Sequence, residues 1–391
     1  MKSGFFYFDT IMKKLLFSFT LACAATLSTS AQLNGDGFYR AKNTYTGRYM
    51  TVKDNHGNVN YASTSVDAAA LETSLNWDKI SCDPGSIMYI QKQSNGEYNI
   101  MAQGTSTYEM IGYYVKITAG KDPDSYRAWQ TSKGMTVYLT DTRDENPEGG
   151  FTEEGFIYSD GKRTMDWNLI PVSAETDNYI GIKPTVSVGN KYYGAFFNGF
   201  SFEPASDGMK VMYITKVDEK HGYAIYKEAT GMVPQKSPVI VECSSDQPTN
   251  NRITPSITEM AALNGNMMQG VYFNVWNIMT GHKNRTEYNQ NSMRVIGTCA
   301  NGRIGFVKSA TLDYIPANSC YLPVSANCVD ELVLVTEEEY TSGISEATTD
   351  GNKAVSDIYN MEGVKVRSNA TTTAGLPQGV YLFKGKKVVV D

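Results

Sequence analysis

The sequence contains few residues of the types that carry out acid–base or metal chemistry. Its three histidines are His56, His221 and His282, and each has a glycine as chain neighbour in a polar stretch. None has a second histidine four residues later, so a helix cannot present a pair of imidazole ligands to a metal. We therefore expect all three to lie exposed in turns, and we predict no metal site.

Nucleophilic catalysis has one candidate pair. Cys320 and His282 are the thiol and imidazole to examine, since such partners meet in space and not in sequence. The sequence has no Gly-x-Ser-x-Gly elbow, and Gly120-Lys121 is followed by Asp122 instead of the serine or threonine of a phosphate loop. We predict no catalytic residue and no cofactor.

Carboxylates are dense in one stretch of the first half of the chain. Such oxygen density suits Ca²⁺, but the spacing matches no known calcium loop. A glycosidase pair is not indicated either, because some pairing is unavoidable among 41 acidic residues. The pattern predicts a solvated acidic loop. Its members are Asp141, Asp144, Glu145, Glu148, Glu153 and Glu154.

Aromatic and arginine residues beside predicted turns give a clearer indication of function. Rigid rings and guanidinium groups bury much contact area at little entropic cost, so sugar-binding and protein-binding patches use them. The alternative is that part of this set belongs to the core. The candidate ligand-binding residues are Tyr45, Arg48, Tyr49, Tyr126, Arg127 and Trp129.

The N-terminus has the organisation of a secretory signal. Lys13 and Lys14 form a basic region, and an apolar stretch over residues 15–25 follows that is too short to span a bilayer. Thr29-Ser30-Ala31 is a small-residue cleavage site, so we predict that residues 1–31 are removed. In the alternative interpretation, Cys23 is a lipidated cysteine.

Composition limits the possible partners. Without residues 1–31 the chain keeps 32 basic and 40 acidic residues, a net charge of −8. Nucleic acid is an unfavourable partner because its binding needs a basic face. The sequence has no later run of 18 apolar residues, so we expect no transmembrane segment in the mature chain.

Five cysteines remain after the signal. An odd number in an exported protein leaves at least one free thiol or an intermolecular disulfide. The spacings match no zinc motif, and we interpret Cys320 and Cys328 as buried strand cysteines. The five are Cys82, Cys243, Cys299, Cys320 and Cys328.

Residues 35–172 repeat a hairpin pattern three times. Alternating apolar runs flank glycine-containing turns in residues 37–54, 87–101 and 126–139. Two stretches end in tryptophan-bearing strands, around Trp77 and Trp167. This arrangement resembles the ricin-B-like β-trefoil. Those lectins carry a Gln-x-Trp signature that is absent here, so both tryptophans are expected to be core pillars and not sugar platforms.

Residues 178–338 contain many short strand-like runs with turn signals, which favours an antiparallel β-sandwich of jelly-roll type. Thr258 could cap a short helix over residues 257–263. Tyr193-Gly-Ala-Phe-Phe and Met232-Val-Pro-Gln-Lys-Ser-Pro-Val-Ile resemble a module of secreted Bacteroides and Prevotella proteins. The resemblance implies a fold and an exported setting, not an activity.

A polar linker over residues 341–353 precedes an internal repeat in residues 354–391. Tyr359 and Gly363 recur with the same spacing as Tyr381 and Gly385, which predicts two hairpins with glycine at each turn. The repeat and the terminal Lys-Lys-Val-Val-Val are similar to the C-terminal sorting domains of type IX secretion cargo. That resemblance implies recognition by export machinery.

We therefore predict an all-β, exported protein that passes through the periplasm to the outer surface or the medium. Its best function class is a non-enzymatic binding or adhesion protein whose ligand is a glycan or a host or bacterial surface protein. A secreted carbohydrate-active or proteolytic enzyme with a dispersed site is the first alternative. A structural surface component without a ligand is the second.

Overall fold

The fold is described from a computed structural model covering residues 33, 35–52, 71–103, 112–132, 134–158, 164–271, 276–277, 282–283, 286–342, 356–361, 363–383 and 386–390. These residues form thirty strands, two short helices and two 3₁₀ turns, so the predicted all-β class is confirmed. Within them, no helix combines the length and apolarity needed to cross a bilayer. The predicted signal and most of the predicted linker lie outside these residues.

Eleven strands and one helical turn make up the first domain. They are β1 Gly37–Asn43, β2 Tyr49–Val52, β3 Leu71–Ser74, α1 Trp77–Ile80, β4 Met88–Lys92, β5 Tyr98–Ala102, β6 Gly112–Ala119, β7 Tyr126–Ser132, β8 Met135–Tyr138, β9 Thr140–Asp141, β10 Glu154–Tyr158 and β11 Trp167–Pro171.

Six of these strands close into an antiparallel barrel. Strands β1, β4, β5, β6, β7 and β11 pair in that order, and β11 returns to pair with β1. Strand β8 pairs with β7, and the other four strands pair in the order β2, β3, β10, β9 beside β1. A closed barrel leaves no free strand edge. The trefoil assignment, with its threefold hairpin arrangement, stays a prediction.

Two of the three predicted hairpins form long ladders, β4 with β5 and β7 with β8. The first is reduced to one pair, Lys42 with Tyr49, because β1 gives its edges to β4 and β11. The predicted strand at Trp77 is wrong. The side chain of Asn76 accepts a hydrogen bond from Lys79 N, which caps a helical turn there.

Alternation along β1 divides its side chains between two cores. Tyr39 and Ala41 pack inside the barrel with the fully buried Trp167, whose indole donates to the carbonyl of Leu139 at 2.9 Å. Phe38 points the other way, into the second domain. Trp167 is therefore the core pillar that was predicted, whereas the half-buried Trp77 is not.

The second domain contains fifteen strands and one helix. They are β12 Ile180–Gly181, β13 Val186–Val188, β14 Lys191–Phe196, β15 Ser201–Pro204, β16 Lys210–Asp218, β17 Tyr223–Ala229, β18 Val239–Cys243, β19 Arg252–Ser256, β20 Gln269–Val271, β21 Trp276–Asn277, β22 His282–Lys283, β23 Met293–Thr298, β24 Ile304–Val307, β25 Ser319–Pro323, β26 Glu331–Thr336 and α2 Glu337–Ser342.

A ten-stranded sheet dominates this domain, with the order β13, β14, β18, β16, β17, β26, β24, β23, β25, β20. Strand β18 is buried on both faces. Its Ile240 packs in a core shared with the β24–β26 half of the sheet, and its Val239 and Val241 pack in a second core that includes the sheet of β12, β19 and β15. The layering is sandwich-like, and the jelly-roll assignment stays a prediction.

Two local expectations for this domain are wrong. One pair in the predicted antiparallel sheet, β17 with β26, is parallel. Residues 257–263 form no helix. Ser201 Oγ donates to the carbonyl of Thr258, and Gln235 Oε1 accepts from Met260 N, so tertiary partners take up backbone groups that a helix would use.

The two domains share a hydrophobic core. Phe38, Ile87 and Tyr89 of the barrel pack against the second-domain cluster, and Phe38 lies edge-on to Phe200 at 5.4 Å between centroids. Because burying these apolar side chains is favourable only while both domains stay in contact, the junction is part of the fold and not a loose tether.

Arg40 is the polar centre of that junction and is fully buried. Its guanidinium donates to Ser86 Oγ at 2.9 Å, Ile80 O at 3.0 Å, Asn178 Oδ1 at 3.0 Å and Tyr179 O at 2.7 Å. It also lies 5.2 Å from the ring of Trp77. Burial lowers the pKa of Arg40 to about 10, although the nearby carboxylate of Asp83 acts to raise it. The guanidinium therefore remains charged at neutral pH.

The last four strands are β27 Ser356–Asn360, β28 Lys365–Ala370, β29 Gly379–Phe383 and β30 Lys386–Val390. The two predicted hairpins are present, and β27 pairs with β29 to join them in the order β28, β27, β29, β30. Among the described strands these four pair with each other alone. Ile358, Ala370 and Tyr381 form their small core.

We predict that Arg40→Lys lowers the free energy of unfolding by about 3 kcal/mol, because an ammonium cannot replace the planar fork and leaves buried oxygens without a donor. Urea unfolding followed by tryptophan fluorescence measures the change. Arg143→Lys, at an exposed position, is the control, with an effect below about 0.5 kcal/mol. Equal effects of the two substitutions would contradict the role given to Arg40.

Candidate binding surface

Arg48 does not belong to the predicted binding patch. It is fully buried, its Nε donates to Asp141 Oδ2 at 3.0 Å, and one terminal nitrogen donates to the carbonyl of Thr142 at 2.6 Å. Thr46 and Thr73 donate their hydroxyls to the same carboxylate at 2.6 and 2.7 Å. Because these internal acceptors take up the N–H groups of the Arg48 guanidinium, it is not available to a ligand.

The prediction of a solvated acidic loop is wrong for Asp141, the carboxylate that pairs with Arg48. Asp141 is buried as the partner of Arg48, while Glu145, Glu148 and Glu153 are exposed as predicted. Glu154 is exposed and, with Glu72 on the neighbouring strand, pairs with Lys79 at 3.2 and 2.8 Å respectively. Lys79 pairs with both of these carboxylates, which disfavours a glycosidase role for this pair.

Tyr49 lies at the domain junction. It is half-buried, its ring packs 5.4 Å from that of Trp77, and Lys42 Nζ lies 5.1 Å from the Tyr49 ring. Trp77 in turn meets Tyr179 edge-on at 5.9 Å. These contacts make Tyr49 part of the packing around Arg40.

The other three predicted residues, Tyr126, Arg127 and Trp129, lie on strand β7, and all three side chains are half-buried. Tyr126 packs against the barrel core and its hydroxyl accepts from Leu33 N at 2.7 Å. Arg127 forms a two-point ion pair with Asp166, at 2.7 and 2.9 Å. Trp129 lies under Lys116, whose Nζ is 5.0 Å from the ring centroid. Arg127 and Trp129 thus have internal partners but retain some exposure.

Tyr45 is the predicted residue whose ring is most available. Its side chain is 48% exposed. The guanidinium of Arg143 lies 4.7 Å from the ring centroid and donates to the Tyr45 hydroxyl at 2.8 Å. Phe151 packs edge-on against the same ring, at 5.1 Å between centroids. We call Tyr45, Arg143 and Phe151 the aromatic clamp.

The clamp lies next to the buried hydrogen-bond network of Arg48 and Asp141. Arg48 lies 6.0 Å from the ring of Phe151, and Tyr45 N donates to Asn43 Oδ1 at 3.0 Å in the turn after β1. Leu75, also exposed, borders this turn, since its Cδ2 lies 3.6 Å from the position of a Cβ on Gly47. The sequence indicated Tyr45 but not Arg143 or Phe151, because these lie about a hundred residues away in a stretch dominated by carboxylates.

A second polar cluster lies at the end of β16. Asp218 accepts from His221 N at 3.0 Å and from the Tyr340 hydroxyl at 2.9 Å, and its carboxylate lies 2.9 Å from His221 Nδ1. His221 is 62% exposed in the β16–β17 turn, as predicted from its sequence. This is the geometry of a turn capped by its own aspartate, and it also fixes α2 through Tyr340.

The candidate pair of Cys320 and His282 finds no support from the position of its thiol. Cys320 is buried in the core of the second domain, where Sγ donates to the carbonyl of Val239 at 3.4 Å. Burial raises the pKa of the Cys320 thiol to about 12, so the thiolate nucleophile is not formed at neutral pH. His282 lies on the short strand β22 and not in the expected turn, and its side chain lies outside the described residues.

The other thiols are equally inert. Cys82, Cys243, Cys299, Cys320 and Cys328 are all free, and all but Cys82 are buried. Cys328 is buried as predicted but follows a turn instead of lying on a strand. Burial raises the pKa of Cys82 and of Cys299 to about 11 and that of Cys243 to about 12.

The part of the chain that the structure describes shows no metal cluster, and the cavity inside the barrel is small. No group of three or more histidine, cysteine, aspartate or glutamate side chains is placed there to hold an ion. The barrel interior contains an apolar cavity of about 20 Å³, lined by residues such as Met50, Ile100 and Trp167. That volume is about one water molecule, and an apolar lining of this kind stays dry.

Comparison with known proteins gives little further information. No protein-family model matches the sequence, and no curated protein matches it. Among solved structures, the chain is similar to a mosquitocidal holotoxin at 9% identity and a TM-score of 0.20, over 75% of this chain. The chain spans 42% of the length of that toxin. A TM-score that low carries no argument about fold or function.

The Asp218 cluster predicts a pH dependence of stability. Hydrogen bonds from His221, and then from Tyr340, lower the pKa of Asp218 to about 2, below the value of about 4 expected in the unfolded chain. The ionised group therefore stabilises the fold above about pH 4, and this contribution is lost as the pH falls towards 2.

We expect Asp218→Asn to lower the thermal midpoint at pH 7 and to have a progressively smaller effect from pH 4 down to pH 2.5. Calorimetry of both proteins at each pH measures the difference. Asp207→Asn, at an exposed position, should shift the midpoint little at any pH. A difference for Asp218→Asn that stays constant across this range would show that its carboxylate charge is not the stabilising group.

Proposed function

We propose that the chain is a non-enzymatic binding protein whose recognition surface is the aromatic clamp. The observation that carries the proposal is the exposed ring of Tyr45, which contacts the guanidinium of Arg143 and the ring of Phe151. This trio places an apolar face and charged donors on one patch of the barrel domain. Binding patches commonly combine these features.

The clamp is suited to recognition because it is already ordered without a ligand. The Arg143–Tyr45 hydrogen bond and the Phe151 contact restrict the tyrosine side chain, so little rotamer entropy is left to lose on binding. The rings also rest on the buried Arg48–Asp141 network, which fixes the turn that carries Tyr45. Such support from buried groups gives a recognition site a defined geometry.

The clamp suits a glycan better than a nucleic acid or another strongly anionic partner. A sugar ring stacks its C–H face on an aromatic ring while its hydroxyls take up hydrogen bonds from arginine. The stretch that follows Arg143 in the chain exposes the carboxylates of Glu145, Glu148 and Glu153, which would repel polyanions. The partner that we propose is therefore a glycan, and a surface protein is the alternative outcome of the test.

The test is a glycan array probed with the fluorescently labelled mature chain. We expect selective binding that falls at least about tenfold for Tyr45→Ala, since loss of a binding hot spot costs more than about 1.4 kcal/mol. Arg143→Ala should act in the same direction. Met135→Ala removes another exposed apolar side chain from the barrel domain and should leave the array profile unchanged.

Wild-type binding that survives both clamp substitutions would place the glycan site elsewhere. A mature chain that binds no glycan on the array would contradict the proposed ligand class and favour a protein partner or a structural role. Circular dichroism of each variant distinguishes a lost contact from a lost fold.

For the last four strands we propose a role in export to the outer surface, in line with their similarity to type IX sorting domains. Among the described strands they pair with one another alone, which leaves one edge of β28 and one of β30 open. Open strand edges are available for pairing with a second chain. Val389 on β30 is 63% exposed, so an apolar side chain accompanies that edge.

Truncation after Thr349 tests this role in a secreting host. We expect the truncated protein to accumulate in the periplasm while the full chain reaches the surface, as measured by protease shaving and fractionation. Lys387→Ala, an exposed change within β30, is the control for general disturbance of the tail. Equal surface exposure of the full and truncated chains would exclude an export role for the tail.

A further inference from the structure

Hydrogen-bonding groups without partners are concentrated at the junction between the two domains. Among the described residues, four buried side-chain atoms have no hydrogen-bond partner. One, Asn99 Oδ1, lies on strand β5. The other three are Gln103 Nε2, Asn198 Nδ2 and Ser237 Oγ, and all three residues are at least nine-tenths buried.

Hydrogen bonds show that these three residues belong to one region. Gln103 Oε1 accepts from Gly199 N at 2.9 Å, and Gly199 directly follows Asn198. The carbonyl of Asn198 accepts from Lys236 N at 3.1 Å, and Lys236 directly precedes Ser237. The end of the barrel strand β5, the turn after β14 and the turn before β18 therefore meet here.

The orientation of both amide groups is fixed by the backbone. Gln103 Oε1 receives the Gly199 N–H, and Asn198 Oδ1 receives the Phe200 N–H at 3.1 Å. Rotating either amide by half a turn would place an NH₂ group against a backbone donor. The unpartnered atoms are thus the two NH₂ groups, and the site presents N–H donors together with a hydroxyl.

The backbone around these donors is held in an uncommon conformation. Gln103, Lys236 and Asn318 have positive φ angles of 55°, 56° and 55°. Asn318 Nδ2 donates to Gln103 Oε1 at 3.3 Å and to the carbonyl of Phe197 at 3.0 Å, so it belongs to the same region. Left-handed residues other than glycine need support from their surroundings, and here Gln103 and Asn318 are hydrogen-bonded to each other.

We propose that this region is a binding site for one internal water molecule, which accepts hydrogen bonds from Gln103 Nε2 and Asn198 Nδ2 and pairs with Ser237 Oγ. Water fits because the three donors are uncharged, and Lys236, the charged residue in this set, has an exposed side chain. Buried waters typically make about three hydrogen bonds to groups that would otherwise be unpaired. The bound water ties the barrel to the second domain beside the shared apolar core.

A crystal structure of the mature chain at about 1.8 Å resolution tests the site directly. We expect a solvent peak at about 2.7–3.2 Å from both amide nitrogens, the distance of an ordinary hydrogen bond. Absence of such a peak, with the two NH₂ groups in contact with carbon atoms, would overturn the proposal. A peak that acquires bromide anomalous signal after a soak would identify an anion and contradict the assignment to water.

The direction of the Ser237→Ala effect gives a second test that does not need crystals. If the hydroxyl is bonded to the water, its removal should lower the urea midpoint by about 0.3 M, since a buried hydrogen bond is lost. If the hydroxyl is unpaired, replacing it by hydrogen should leave the midpoint unchanged or raise it, and that result would overturn the proposal. Ser86→Ala, at a buried serine that is hydrogen-bonded to Arg40, calibrates the size of a true loss.

Discussion

The guanidinium of Arg40 is the interaction on which the two larger domains depend. It is fully buried, and its donors reach a serine of the 3₁₀ turn before β4, the end of helix α1 and the first residues of the second domain. All four acceptors are neutral oxygens, so the charge is solvated by the protein and not cancelled by a direct ion pair. Moving the domains apart would remove the two acceptors that the second domain supplies, Asn178 Oδ1 and Tyr179 O, and leave the buried charge only partly solvated. A polar group can therefore fix a junction that is otherwise apolar.

The same principle recurs in the barrel and in the second domain. Arg48 is enclosed with Asp141 under the aromatic clamp, and Arg294 donates to a set of carbonyls that includes Cys328 O and Val329 O. Each buried arginine connects segments that are far apart in the chain. In a protein made of short strands, long-range contacts of this kind set the relative position of turns that β-sheet pairing alone would leave free.

Rigid support and exposed recognition groups are therefore combined in one place. Arg48 supports the turn from inside, and Tyr45 with Arg143 is presented from outside. At the domain junction around Gln103 and Asn198, by contrast, the unpartnered donors are buried. The first arrangement suits reversible contact with a partner, and the second suits a permanently bound internal molecule.

Much of the architecture follows from the sequence by itself. Apolar alternation and glycine turns determine the β class, the two long barrel hairpins and both tail hairpins, because strand periodicity and turn conformation are local properties. The exposed turn position of His221 and the burial of Trp167 and Cys320 were predictable for the same reason. Tyr45 could be selected as a candidate from its place beside a turn.

Tertiary structure decided which of the candidate residues face solvent. Arg48 and Asp141 looked like surface groups in sequence and are buried because they meet across 93 residues. Arg143 and Phe151 become candidate site residues only through their contacts with the ring of Tyr45, which lies about a hundred residues away in the chain. The parallel pairing of β17 with β26, and the loss of the expected helix at residues 257–263, also depend on partners distant in the chain. Local patterns fix how each segment folds, whereas the pairing of charges and rings is set when segments meet in space.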